Sequence, residues 1–152
     1  MTKEVFFYFD IFNNNGLGHY SRCSVLNYQL NKRKIKTFLL ILKKKKIRKF
    51  KEFNIFQIKN LNKKKDILII DDYLISSDKI MILKKYFKYV FLIEDVPSNR
   101  KNVDVIINPN YQIKKKDYNQ ENIIKFFLGI SYKMIKEIKV SKKKERKFFD
   151  LI

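Results

Sequence analysis

The 152-residue sequence has one cysteine, one histidine, no alanine, no tryptophan, three glycines and two prolines. The single cysteine, Cys23, excludes an internal disulfide framework. One cysteine and one histidine cannot supply a metal site of the usual ligand spacing. No stretch approaches roughly 18 uncharged apolar residues, so a membrane-spanning helix is not expected. A signal peptide is not expected either. Residues 5–9 are apolar but few, Asp10 interrupts them, and no small-residue cleavage site follows. These absences together predict a soluble, cytoplasmic protein.

Hydrophobic residues make up 45% and aromatics 15%, too much apolar material for a disordered tail. The length suits one domain with a real core. The formal charge of +20 comes from 35 basic residues, of which thirty are lysine and five arginine. Isoleucine, asparagine, phenylalanine and tyrosine are abundant, and residues with GC-rich codons are scarce, as in an AT-biased genome. Arginine, the residue suited to two-pronged phosphate and base contacts, is the rare cation here. A specific nucleic-acid partner is therefore not expected. Polyanion binding through lysines stays open, with an affinity that falls steeply with salt.

Apolar runs at residues 5–11, 35–42 and 66–72 read as strands buried on both faces. Shorter strands are expected at 54–58, 89–93 and 103–107. Helical spacing covers residues 19–31, a short amphipathic stretch at 43–51, and residues 132–138. A further helix starts after Ser76 or Ser77, with Asp78 in its first turn and Ile80, Ile82, Leu83, Tyr86 and Phe87 as its stripe. Lysine runs fall between elements. The alternation predicts an α/β fold with a mainly parallel sheet and helices on both faces.

In such sheets ligands bind beyond the carboxyl ends of the strands. Three polar clusters belong at that edge: residues 13–19, Asp71-Asp72-Tyr73 and Glu94-Asp95. Gly16-Leu17-Gly18-His19 sits at a strand-to-helix turn that favours an anion. Ser21 stands where a dinucleotide fingerprint needs a third glycine, and the second strand ends in lysines rather than an acid. No Gly-Lys-Ser/Thr follows, so a P-loop is excluded as well, and no cofactor is expected. His19, in the first turn of a helix, is either a neutral general base or a capping and packing residue. Arg22, three residues on, shares its face and either binds phosphate or pairs with an acid. Alternation puts Asp71 and Tyr73 on one side and Asp72 on the other. These acids serve a cleft or cap the following loop, and Cys23 is read as core.

Gly16-Leu17-Gly18-His19-Tyr20-Ser21-Arg22 resembles the G-x-G-H-x-x-R motif of the UDP-2,4-diacetamido-2,4,6-trideoxy-β-L-altropyranose hydrolases of pseudaminic acid biosynthesis. Related spore-coat polysaccharide biosynthesis proteins carry a similar motif. Residues 67–75 (ILIIDDYLI) resemble the family's D-x-Y segment, with Asp72 where histidine is often found. Glu94-Asp95 resembles its acidic pair, residues 104–110 (DVIINPN) its D-x-x-x-N-x-N segment, and residues 127–135 (FLGISYKMI) its G-x-x-Y segment. Lys136 stands where that last segment has arginine. The resemblance runs from residue 5 to about 138.

It implies a Rossmann-like amino-terminal half of a GT-B glycosyltransferase-type fold, spanning residues 1–139. Residues 140–152 would be a linker and the start of a second domain, whose first strand residues 146–152 resemble. It implies a hydrolase acting on a UDP-sugar, with His19 and Tyr73 at the reacting centre. Gly16, Leu17, Gly18, Arg22, Asp71, Asp95, Asn108 and Asn110 would bind substrate. The implied partner is a carboxyl-terminal nucleotide-binding domain, without which the chain would be incomplete. The alternative is half of a GT-B glycosyltransferase using a UDP-sugar donor.

Overall fold

The computed structural model describes residues 3–9, 16–41, 52–54, 64–119 and 122–134. Seven strands and two helices run in the order β1 (Glu4–Phe9), α1 (Gly16–Lys32), β2 (Lys36–Ile41), β3 (Glu52–Asn54), β4 (Lys65–Asp71), α2 (Ser77–Lys84), β5 (Phe87–Ile93), β6 (Val105–Asn108) and β7 (Lys125–Leu128). They form one sheet ordered β3-β2-β1-β4-β5-β6-β7. Every neighbouring pair is parallel. This is an α/β, Rossmann-like architecture, and the strand order reverses between β1 and β4, the switch point where such sheets open a crevice.

Side chains alternate across the pleat, so each buried strand feeds two cores. Phe6, Tyr8, Leu68, Ile70, Val90, Leu92 and Ile106 face α2, where they meet Ile80 and Leu83. Val5, Phe7, Phe9, Ile69 and Ile93 face the other way and pack with Cys23 of α1. Cys23 is fully buried, as its helical position predicts. The helices thus cover opposite faces, and strands walled on both sides must be apolar throughout.

The α2 helix begins as expected. The Ser76 side chain accepts from the Lys79 backbone N–H at 3.3 Å, and Asp78 lies in the first turn. It ends earlier than its apolar spacing suggests. Phe87 opposes Lys65 as the first residue of β5, and Ile82 is exposed. Pairing with β4 takes Phe87 out of the helical stripe and into the core, where its ring meets Phe6 edge-on at 5.3 Å between centroids. Beyond β7, Gly129 takes a φ of +100° and opens a short 3-10 turn over Ile130–Tyr132. Lys133 is extended, so the helix expected over 132–138 does not start there. Residues 135–138, the helix expected over 43–51, most of the strand at 54–58, and the boundary at 139–140 lie outside the described residues. None of the described helices is long and apolar enough to cross a membrane.

Phe87 has no exposed surface, whereas Tyr89 on the same strand is 47% exposed. Phe87→Ala is expected to lower the free energy of unfolding by about 3–5 kcal/mol. Tyr89→Ala should change it by no more than about 0.5 kcal/mol. Urea titration of both variants checks the contrast.

Candidate active site at the sheet switch point

The first turn of α1 stands at the carboxyl edge of the sheet, and three residues of one helix face converge on the end of β4. His19, Arg22 and Cys23 lie at positions i, i+3 and i+4, which share a face. All three reach Asp71. His19 Nδ1 lies 2.6 Å from Asp71 Oδ1. Arg22 donates from Nε to Oδ2 at 3.0 Å and from Nη2 to Oδ1 at 2.7 Å. Cys23 Sγ lies 3.8 Å from Oδ2. Asp71 is fully buried and His19 nearly so. A carboxylate can only accept, so the proton in this contact belongs to Nδ1, and Arg22 Nη2 stands 3.2 Å from the same nitrogen.

A second layer closes over this pair. Arg22 Nη1 donates to both oxygens of Asp95, at 2.9 and 2.7 Å, and Nη2 lies 3.2 Å from the Tyr73 hydroxyl. That hydroxyl donates to Asp95 Oδ2. The Tyr73 ring stands edge-on to His19, 4.5 Å between centroids. Asp72, on the opposite side of β4, accepts from the Leu74 backbone N–H at 2.8 Å. So the alternation along β4 sends Asp71 and Tyr73 to one centre and Asp72 to a turn.

Burial works against the Arg22 charge, but the adjacent Asp71 charge and the hydrogen bonds to Asp71, Asp95 and Tyr73 outweigh it, raising its pKa. Burial also pushes Asp95 up, and the hydrogen bonds from Tyr73 and Arg22 overcome it, leaving its carboxyl below the usual value. The Tyr73 phenol is raised, first by burial and then by its bond to Asp95, so it keeps its proton and donates. Cys23 is raised well above the usual thiol range by burial and by the Asp71 charge. A protonated buried thiol is a poor nucleophile.

Five residues singled out from the sequence therefore meet: His19, Arg22, Asp71, Tyr73 and Asp95. Arg22 was expected either at a phosphate or beside an acid, and it stands between two acids with Nε, Nη1 and Nη2 all directed at protein oxygens. Gly16, Leu17 and Gly18 form the opening turn of α1 rather than a loop before it. A Cβ added at Gly18 would meet no described atom within 4 Å. Asn108 was expected at the substrate but is fully buried. Its amide donates to the Tyr118 hydroxyl at 2.9 Å, and its Oδ1 accepts from the Asn110 backbone N–H at 2.9 Å, so its side chain braces a loop. Asn110 accepts from the Gln112 N–H at 3.1 Å and lies 3.5 Å from the Asp95 carbonyl. Glu94 parts from Asp95 and turns to the α2 side, where Ser98 donates to it. Arg100, which donates to the Tyr73 carbonyl, was not anticipated. Its signal was available, since it is one of only five arginines among thirty lysines.

No group of three histidine, cysteine or acidic side chains is placed to hold a metal ion among the described residues. Comparison with protein-family models, curated proteins and solved structures finds no match.

Removing Arg22 leaves the Asp71 charge buried without its cation. Arg22→Met is expected to cost about 3–5 kcal/mol, and adding Asp71→Asn should recover part of that loss. Denaturant melts of the single and double variants measure both steps. Asp95, with its pKa lowered from an ordinary 3.8, stabilises the fold above that value and loses the contribution as pH falls through its lower folded-state pKa. The stability gap between the parent and Asp95→Asn should therefore be level above 3.8 and close in more acid solution. Urea melts across that range test the sign.

Proposed function

We propose that this chain is the base-bearing, amino-terminal half of a GT-B-type nucleotide-sugar hydrolase that removes UDP from a 2,4-diacetamido-2,4,6-trideoxyhexose. One observation carries the reading: the His19 Nδ1–H is fixed on the buried Asp71 carboxylate, 2.6 Å away, at the switch point of the sheet. An imidazole held in this way presents Nε2 as a proton acceptor, and the carboxylate stabilises the imidazolium that forms. The motif order along the chain supplies the substrate class.

In this reading Nε2 takes a proton from water as the water oxygen bonds to the anomeric carbon. The bond from that carbon to the diphosphate oxygen breaks, and its electron pair leaves with UDP. The imidazolium then returns its proton to solvent. Asp71 orients His19, and Arg22 balances the two aspartates. Tyr73, with its phenol engaged by Asp95, forms a wall beside the imidazole. The diphosphate finds no uncommitted arginine among these five residues, which favours a nucleotide pocket on a carboxyl-terminal partner domain.

UDP release from the UDP-2,4-diacetamido sugar, with this chain alone and with the carboxyl-terminal domain of a full-length relative added, tests the proposal. Release on mixing is expected, with His19→Ala reducing the rate by about 10²–10⁴-fold, the usual contribution of a general base. Unchanged release by His19→Ala would remove His19 from its role. A glycosylated acceptor in place of free sugar would make the protein a transferase.

A further inference from the structure

The loop from β5 to β6 reaches the turn after β4 from two sides. On the α1 side, Asp95 receives the Tyr73 hydroxyl. On the α2 side lies a second polar group that the proposed chemistry does not use. Glu94 is buried there, its Oε2 accepts from Ser98, and the same oxygen lies 3.9 Å from Arg100 Nη1. Arg100 in turn donates from Nη2 to the backbone carbonyl of Tyr73. The next N–H along the chain, that of Leu74, is held by the Asp72 side chain. Both polar atoms of the Tyr73–Leu74 peptide group are therefore bonded to side chains. A turn peptide held at its carbonyl and its N–H cannot rotate without breaking two hydrogen bonds, both of them charge-assisted.

Tyr73 is itself 40% exposed, so packing alone does not fix its ring. Polar side chains hold it as well, Asp95 and Arg22 at the phenol and Arg100 at the carbonyl. We infer that Arg100, braced by Glu94, is a positioning residue that sets the Tyr73 ring against the His19 imidazole. Burial raises the Glu94 carboxyl, while hydrogen bonds from Ser98 and Tyr118 and the Arg100 charge oppose that rise. Among the described residues Glu94 Oε1 has no hydrogen-bond partner, so the contact to Arg100 is made through Oε2. An arginine suits the task because its planar fork can point one arm at the carboxylate and the other at the carbonyl. The inference deepens the hydrolase reading and rests on it for any effect on turnover, but the geometry is testable without turnover.

The chain has one histidine, so its imidazole signals in a proton NMR spectrum need no assignment among competitors. Replacing Tyr73 by leucine removes the ring current at His19 and displaces its Cε1–H and Cδ2–H resonances. Arg100→Met is expected to displace both in the same direction, with Arg100→Lys, which keeps the charge and one donor, falling between Met and the parent. Amide dispersion shows that each variant is folded. Should the methionine variant not fold, Arg100→Gln, shorter and uncharged, decides by the same displacement. Imidazole resonances at the parent positions in a folded Arg100→Met or Arg100→Gln variant, while Tyr73→Leu moves them, would overturn the inference. Failure of the hydrolase reading looks different: no UDP release from any form, with the resonances moving as described.

Discussion

A fully buried carboxylate is the constraint around which the rest of the molecule is arranged. Asp71 ends the strand that pairs with β1 on one side and β5 on the other, so its side chain is delivered to the middle of the sheet edge. An ion taken out of water there is tolerable only if its lone pairs are filled and its charge is balanced. One helix face does both. Arg22 supplies the counter-charge and two hydrogen bonds, and His19 supplies a third. The same requirement explains why α1 sits where it does. Cys23 lies on the same face, so burying the apolar side of α1 and serving Asp71 require one and the same rotation of the helix.

The strands were the legible part of the fold. Uninterrupted apolar runs such as Ile67 to Ile70 allow little besides a strand covered on both faces, and alternation along β4 was enough to separate Asp71 and Tyr73 from Asp72. The end of α2 was harder. Tyr86 and Phe87 continue its apolar spacing with no glycine or proline to stop it, and only the pairing of Phe87 with Lys65 decides that the helix is over. For β7 the obstacle was different. Phe126, Phe127 and Leu128 are each half-buried at the side of the sheet, a pattern that favours neither period.

The candidate site divides in a similar way. Helical spacing placed His19 and Arg22 on one face, and strand ends placed Asp71 and Asp95 at one edge, but neither states which acid an arginine will choose. That choice is made by distances between elements far apart in sequence. Composition hid a further clue. With thirty lysines the charge looks uniform, yet Arg22 and Arg100, two of the five arginines, stand where a forked donor reaches oxygens of more than one residue. Lysine, a compact charge on a flexible stem, serves the exposed ends and turns.

The placement of β1 between β2 and β4 has a consequence for how the molecule is made. Its pairing with β2 is complete once the first helix has turned back, but its pairing with β4 waits for a strand that arrives much later in the chain. His19 and Asp71 are 52 residues apart, and nothing local brings them together. Closing so long a loop costs more chain entropy than closing a local turn, and folds rich in pairings of this range fold more slowly. A chain emerging from the ribosome can build β1, α1 and β2 with the imidazole still in water, unpaired and unoriented. Only when β4 pairs with β1 does the histidine meet its carboxylate, so the orientation of His19 depends on a contact made across 52 residues of chain.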